Sequence, residues 1–338
     1  MSAPATTPPR ALPGRCLWSE GDLLIRARGA ALEASENDGR TFTGLGRLAL
    51  GRPAGLFARH RLGARLWRAG VKHCERVDAD RFLVFAAGGV FRLDLAAGTL
   101  REVGRIHGSR PLRVCATADA VYYGEYRSNP ERGPITVWRS RDLGDSWEPA
   151  HVFEGVRHVH AVQRDPVDGS IWVTTGDYGD EACLWRFEPD LTDPEPVLRG
   201  DQQCRVIDVR FEPERLVFGT DAPLGPNRLY ALARGAREPV ALHEVAGPVF
   251  HAAGVGDSLL FSTAVEPGDG SDPRACEVLR LRGEELAVMG RFAKDRWSMR
   301  YFGYGEVAFA AGPGRGDGIW IAPTATERDG TSLYLKLP

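Results

Sequence analysis

The stretch Ser140-Arg141-Asp142-Leu143-Gly144-Asp145-Ser146-Trp147 follows the pattern Ser-x-Asp-x-Gly-x-Ser/Thr-Trp and lies between two strand-like runs. A short hairpin turn anchored by its aspartate explains each fixed position. The Asp142 carboxylate accepts backbone N–H groups inside the turn, Gly144 takes a positive φ, and Trp147 folds back onto the sheet. The stretch therefore predicts a structural turn in a β protein.

A degenerate copy of this pattern lies upstream, at Ser35-Glu36-Asn37-Asp38-Gly39-Arg40-Thr41-Phe42. Asn37 stands at the aspartate position, and Phe42 replaces the tryptophan. Strand-like runs recur around the two turns with a loose period of about 40 to 48 residues, the spacing of four-stranded propeller blades. The clearest unit covers residues 71–105, where four such runs follow one another.

We therefore expect an all-β fold, a single β-propeller of four-stranded blades that covers residues 16–338. Seven blades fit the runs, or six if the two chain ends merge into one blade. The 40 glycines and 23 prolines suit many short strands joined by turns, and no long stretch has a helical period. Residues 1–15 are rich in Ala, Pro and Thr and lack the apolar segment of a signal peptide, so we expect a disordered tail.

Composition excludes several classes of partner. A net charge of −2 argues against a protein that binds nucleic acid or a membrane surface. The chain has no run of about 18 apolar residues, so we expect no membrane insertion. The six cysteines are scattered without a Cys-x-x-Cys pair, which favours reduced thiols and a cytoplasmic location.

The blade order predicts which residues meet at one end of the central channel. If the strands of each blade are lettered a to d outward from the axis, the d-to-a and b-to-c connections share one face, the mouth. The Asp142 turn joins strands c and d and lies on the opposite face. Most a strands begin with a basic residue, and four b strands end in an acidic one. A ring of mixed charges is therefore expected around the mouth, which suits an anionic or polyhydroxyl ligand and proton transfer.

The segment Arg157-His158-Val159-His160 is the most specific signal at the mouth. Residues two apart on a strand point to the same side, so the two imidazoles are expected to face one way. With Asp177 nearby, they could ligate one divalent metal ion or act as a base and its orienting partner. The alternative is a pair of ordinary histidines that are hydrogen-bonded to neighbouring blades.

The acids and arginines also have two interpretations each. An acid that follows Gly or Thr often caps a turn, but two carboxylates in one pocket would suit glycosidic chemistry. Arg113, Arg205 and Arg300 could form a bidentate clamp for an anion, or salt bridges between blades. The candidate catalytic residues are His158, His160, Asp177 and Glu125, and the candidate substrate-binding residues are Arg113, Arg157, Arg205, Asp221, Glu266, Arg300 and Tyr301.

The Asp-anchored turn, the blade period and the runs at residues 157–160 and 172–177 resemble BNR (Asp-box) propellers, the sialidase-like group that includes proteins encoded beside bacterial surface-polysaccharide genes. Sialidases of this group use three arginines, a Tyr–Glu pair and an aspartate that acts as the acid. They also carry an Arg-Ile-Pro segment near the N-terminus. Residues 20–70 contain no such tripeptide. Propeller-type polysaccharide lyases can use histidine and a divalent metal, a site that His158 and His160 could imitate.

Two functions follow from these patterns. The first is a carbohydrate-active enzyme of the glycoside hydrolase or lyase type, acting at the mouth on an acidic glycan or a sugar-containing precursor. It predicts perturbed protonation equilibria at the mouth. The alternative is a non-catalytic propeller that binds a glycan or a protein partner in polysaccharide assembly, and it predicts mouth charges that pair with one another.

Overall fold

Seven sheets form a ring in the computed structural model, which describes residues 11–51, 54–58, 60–268, 272 and 274–338. Each sheet is one blade, and the innermost strands of neighbouring blades contact one another around the central channel. The prediction of an all-β propeller is confirmed, and the number of blades is seven.

The strands follow the chain blade by blade. β1 (Ala11–Pro13) precedes blade 1, which contains β2 (Arg15–Glu20), β3 (Leu23–Arg28), β4 (Ala31–Ser35) and β5 (Thr43–Arg47). Blade 2 contains β6 (Val71–Arg76), β7 (Arg81–Ala86), β8 (Gly89–Asp94) and β9 (Thr99–Arg105), and blade 3 contains β10 (Val114–Ala116), β11 (Val121–Gly124), β12 (Ile135–Ser140) and β13 (Glu148–Phe153). Blade 4 contains β14 (Val159–Arg164), β15 (Ile171–Thr175), β16 (Cys183–Glu188) and β17 (Thr192–Arg199).

The second half of the ring continues in the same order. Blade 5 contains β18 (Val206–Phe211), β19 (Arg215–Thr220), β20 (Asn227–Ala233) and β21 (Val240–Val245), and blade 6 contains β22 (Val249–Val255), β23 (Ser258–Thr263), β24 (Ala275–Arg282) and β25 (Glu285–Ala293). Blade 7 contains β26 (Glu306–Phe309), β28 (Gly318–Thr324) and β29 (Thr331–Lys336), while β27 (Ala311–Gly314) pairs with β2 in a parallel arrangement.

The N-terminal strand closes the ring. β1 pairs with β29 and supplies the outermost strand of blade 7, so the two chain ends share one blade. The expected disordered tail of residues 1–15 is therefore wrong at Ala11–Pro13, where pairing covers an otherwise open edge. Residues 1–10 of that expected tail lie outside the described residues.

The core consists of seven apolar clusters, one at each blade interface. In the cluster between blades 2 and 3, for example, Leu83 and Phe85 pack against Val121 and Tyr123. Each blade therefore buries both of its faces against neighbours, which makes the ring rather than the single blade the unit of stability.

Both Asp-anchored turns have the predicted geometry. Asp142 Oδ1 accepts the Ser146 backbone N–H at 2.8 Å, and Gly144 has φ of +87°. In the upstream copy, Asn37 Oδ1 accepts the Thr41 N–H at 2.9 Å. The two turns join strands c and d of blades 3 and 1, as expected.

Three short helices lie in connections on the mouth face. α1 (Ala54–Phe57) and α2 (Arg61–Leu66) join blades 1 and 2, and blade 1 ends at Arg47. α3 (Met299–Phe302) joins blades 6 and 7 and contacts α2. No helix among the described residues has the length and apolar character needed to cross a bilayer. All six cysteines are buried and free of disulfides.

Candidate functional site

Three side chains of blade 4 converge at the mouth: His158, His160 and Asp177, here called the His–Asp cluster. The Nε2 atoms of the two histidines lie 3.0 Å apart. Each Nε2 also lies 3.2 Å from Asp177 Oδ1. All three side chains are buried. The prediction that the two imidazoles face one way agrees with this arrangement.

The chain positions the cluster through the junction between strands a and b. His158 precedes β14 and its carbonyl accepts the Gly176 N–H at 3.0 Å, which places Asp177 beside it. His160 lies where the register of β14 against β15 shifts by one residue. This bulge, rather than simple strand alternation, turns the His160 ring toward the mouth.

The protonation states of the cluster follow from its neighbours. His160 Nδ1 lies 3.3 Å from the Val206 carbonyl oxygen, which can only accept, so Nδ1 carries the hydrogen and Nε2 carries a lone pair. Burial lowers the pKa of His160 to about 4, which leaves the ring neutral at pH 7. Burial disfavours the Asp177 carboxylate, but a hydrogen bond from His158 and the charge of Arg205 hold its pKa well below its usual range.

Two arginines hold the carboxylate of the cluster from outside. Arg157 Nη1 lies 3.1 Å from Asp177 Oδ2, and Arg205 Nη2 lies 3.4 Å from Oδ1. Arg205 also donates from Nε to Asp221 Oδ2 at 3.0 Å, which links blade 4 to blade 5. Four of the predicted site residues besides the histidines are thus brought together: Arg157, Arg205, Asp177 and Asp221.

A second pair of acids lies beyond Arg205. Burial raises the pKa of Asp221 to about 7, the Arg205 charge opposes the shift, and the nearby Glu266 carboxylate adds to it. Burial likewise raises the pKa of Glu266, which is hydrogen-bonded to Tyr304. Asp221 Oδ1 is buried and has no hydrogen-bond partner. Burial and like charge therefore favour the protonated form of both acids over that of a solvated carboxyl group.

The other predicted residues lie elsewhere. The Glu125 carboxylate accepts from Trp138 Nε1 at 2.9 Å and pairs with Arg127 at 3.3 Å, so it is engaged within its own blade. Arg113 pairs with Asp208 deeper in the channel. The Arg113–Asp208 pair joins two blades, which agrees with the second interpretation of Arg113 from the sequence, a salt bridge between blades, and not with an anion clamp.

Arg300 and Tyr301 do not begin an a strand. They belong to α3, where the Arg300 guanidinium lies 5.6 Å from the Tyr301 ring and Tyr301 is 56% exposed. The a strand of blade 7 begins at Glu306. The expected clamp of Arg113, Arg205 and Arg300 is therefore not assembled, because α3 packs against α2 and keeps Arg300 on the surface.

Two contacting residues were missed by the sequence interpretation. The Tyr126 ring lies 4.2 Å from the His158 ring, centroid to centroid, and directly follows the b-strand end at Glu125. Gln202 Nε2 donates to the Asp177 carbonyl at 3.0 Å from the d-to-a connection of blade 4. The position of Tyr126 next to a predicted mouth acid is a signal that the blade order offered.

Comparison with known proteins supports the fold alone. No protein-family model matches the chain, and no curated protein matches it. A chain in the crystal structure of the mitotic checkpoint complex is similar with a TM-score of 0.61 and 12% identity, over 100% of this chain and 97% of that one.

Two further structures are similar over a smaller share of their own length. The extracellular domain of a protein described as a hybrid two-component system from B. thetaiotaomicron has a TM-score of 0.60 and 13% identity, over 96% of this chain and 38% of that one. The dihydro-heme d1 dehydrogenase NirN in complex with DHE has a TM-score of 0.55 and 14% identity, over 93% of this chain and 61% of that one.

Proposed function

We propose that the mouth is the active site of a carbohydrate-active enzyme that cleaves an acidic glycan or a sugar-containing precursor, by hydrolysis or by elimination. The observation that carries the proposal is the convergence of His158 Nε2, His160 Nε2 and Asp177 Oδ1 within 3.0 to 3.2 Å of one another. Strongly shifted protonation equilibria beside a channel mouth support a catalytic role over a purely structural one.

The His–Asp cluster suits one divalent metal ion. Ligands about 2.1 Å from a common ion lie about 3.0 to 3.4 Å apart, in octahedral or tetrahedral geometry. The His160 Nε2 lone pair already faces its two neighbours, and Arg157 and Arg205 orient the carboxylate as outer contacts commonly do. Three protein ligands leave open positions, and a bound ion would polarise an oxygen or lower the pKa of a water.

The acid pair supplies the other half of the chemistry. In hydrolysis and in elimination alike, the departing sugar oxygen takes up a proton. Asp221 has a pKa near neutrality and an unpartnered buried oxygen, so it can hold that proton. Arg205 contacts both Asp177 and Asp221 and fixes the distance between the two groups.

The turn geometry supports a relationship to Asp-box propellers as part of the same proposal. Both turns place a Ser hydroxyl against the side chain two residues later, at 2.9 Å in each case. We further propose that residues 16–338 form a single propeller domain, to which β1 adds one strand. We also propose a cytoplasmic location. The partner is then a glycan or a sugar-containing small molecule rather than nucleic acid or a membrane.

A non-catalytic propeller is the second candidate, because several mouth charges pair with one another as that function predicts. Arg205 is engaged by Asp177 and Asp221, and Arg113 by Asp208. Its partner would be a glycan or another protein. Half-exposed rings of Phe57 and Trp67, stacked at 5.3 Å beside the mouth, would suit the latter.

The decisive test is metal content, measured by mass spectrometry on protein purified without a nickel column. Wild type is expected to carry about one equivalent of a divalent ion, and His158→Ala/His160→Ala none. His243→Ala is the matched control, since this histidine lies on the outer strand β21 and bonds to the Glu284 carbonyl. Ion-free wild type that also fails to cleave an acidic glycan panel would leave the binding function.

A further inference from the structure

Four cations lie at the mouth on blades 1 and 2 and in the connections that lead into blades 2 and 3: Arg15, Arg68, Lys72 and Arg110, here called the cation cluster. Arg15 opens β2 and Lys72 lies in β6, both innermost strands. Arg68 and Arg110 lie in the connections that lead into β6 and β10. All four therefore sit where a strands begin, on the mouth face.

The four positive charges of the cation cluster outnumber the nearby carboxylates, since Glu306 is the acid that acts on Lys72 and Arg15. Among the described residues, none of its four members forms an ion pair. Burial lowers the pKa of Lys72 to about 8, and the positive charges of Arg110, Arg15 and Arg68 lower it as well; Glu306 alone raises it. Glu306 is itself shared with His251, at 3.4 Å. Arg15, Lys72 and Arg110 are half-buried and Arg68 is exposed. Like charges brought together at a partly buried mouth repel one another, and a bound anion relieves that repulsion.

Arg110 connects this cluster to the His–Asp cluster. Its guanidinium lies 5.8 Å from the centre of the Tyr126 ring, and its Nε is buried without a hydrogen-bond partner. Tyr126 in turn lies 4.2 Å from the His158 ring, centroid to centroid. One aromatic ring therefore separates a group of unpaired cations from the proposed chemical centre.

We propose that the cation cluster is an oxyanion site that holds the acidic group of the ligand, a carboxylate or a sulfate or phosphate ester. Arginine and lysine donors in a partly desolvated pocket suit such a group. The adjoining sugar ring would lie against Tyr126, as sugars commonly stack on aromatic faces, with its reacting bond toward His158. This placement gives the clamp role to Lys72 and Arg110, since Arg113 and Arg205 are already paired.

The placement of the sugar rests on the proposed function, but the oxyanion site does not. Its test is therefore binding of inorganic sulfate and phosphate, measured by isothermal titration calorimetry at constant ionic strength against chloride. We expect saturable binding by wild type and at least tenfold weaker binding by Lys72→Met and by Arg110→Gln. Arg132→Gln is the matched control, because Arg132 lies on the same face but is paired with both oxygens of Glu181.

A second measurement separates the sources of the anion and separates the two proposals. Glucuronate is compared with glucose on wild type and on His158→Ala/His160→Ala. Preference for glucuronate that disappears in Arg110→Gln assigns the site to an acidic sugar, while sulfate binding without that preference assigns it to a free anion. Sulfate binding that survives in the histidine variant upholds the site even if no metal is found.

Two results would overturn the proposal: no saturable sulfate, phosphate or glucuronate binding by wild type, or undiminished binding in both folded variants. Circular dichroism establishes folding. If Lys72→Met does not fold, Arg110→Gln decides alone, because Arg110 lies in the connection between β9 and β10 and not in a strand.

Discussion

The Asp142 turn and the His–Asp cluster each centre on an aspartate, but the two carboxylates are satisfied in different ways. The Asp142 carboxylate accepts hydrogen bonds from Ser140 and Ser146, within four residues along the chain. Asp177 is contacted by His158 and Arg157 of its own blade and by Arg205 from the start of the next. A turn closed by its own neighbours needs no other role than scaffold, whereas charges assembled from separate segments in a buried mouth are the arrangement on which the proposed function rests.

The scaffold side of this comparison gives the largest expected effect. Trp147 packs edge-on against Phe85 and Tyr123, with ring centroids 6.3 Å and 4.7 Å away, and so joins blades 2 and 3. Trp147→Ala is expected to lower the free energy of unfolding by about 3 kcal/mol, because its removal leaves a cavity at a blade interface. Urea denaturation measures the loss. A change below about 1 kcal/mol would show that the turn does not brace the interface.

The mouth side predicts a functional loss with little loss of stability. Asp177→Asn keeps the shape of the side chain but removes the charge that faces two histidines and two arginines. We expect metal affinity to fall by about 100-fold or more, the upper range for disrupted ligand shells. Competition with a chromogenic chelator measures it, with Asp142→Asn as the control for the same chemical change. Equal affinity in both variants would contradict the assignment of the cluster.

Asp221 sharpens the comparison through pH. Its pKa is raised by burial above that of an unfolded chain, to about 7, so the folded state binds the extra proton between about pH 4 and 7. Wild type should therefore lose stability as pH rises through this window, by at most about 1.4 kcal/mol per pH unit. Asp221→Asn should flatten that slope in melting curves taken from pH 4 to 8. Parallel curves would show that Asp221 titrates normally.

The features that could be predicted from sequence are those that depend on local contacts, as in the Asp142 turn, and not those that depend on distant segments. The turn, the blade period and the b-strand acids depend on residues close together in the chain. His158 and Asp177 were also within reach, because strands a and b of one blade are joined by a short turn and meet at its edge. The partner of Arg113 lies two blades away at Asp208, and no local pattern reports such a distance.

Irregular backbone limited the rest of the prediction. Five of the seven innermost strands shift register near their mouth ends, for example between Val71 and His73 or between Val249 and His251. Such bulges break the two-residue alternation from which side-chain direction is inferred. The wrong prediction that Arg300 begins an a strand has a different cause. Arg300 lies in a four-residue helix, which is too short to give a periodic signal and is stabilised by its contact with α2.

The smallest expected effect comes from Asp142→Asn, because the upstream turn already has an asparagine, Asn37, at the corresponding position. There Asn37 Oδ1 accepts from the Thr41 N–H, and its Nδ2 donates to Thr41 Oγ1 at 2.7 Å. In the variant, Ser146 Oγ would change from donor to acceptor while the backbone bond remains. Only the added strength of a charged acceptor is lost, so the free energy of unfolding should fall by less than about 1 kcal/mol at pH 7.

The pH dependence of that small loss provides its check. Hydrogen bonds from Ser146 and Ser140 outweigh burial and lower the pKa of Asp142, so its ionised form stabilises the fold above the normal aspartate pKa and loses this effect as pH falls through the folded-state pKa. Wild type and Asp142→Asn should therefore converge in stability as pH falls below the normal aspartate pKa and through that of folded Asp142, as followed by urea denaturation. A loss of several kcal/mol at pH 7 would mean that the charge itself, and not the turn's hydrogen-bond pattern, holds blade 3, and that Asn37 survives only through contacts particular to blade 1.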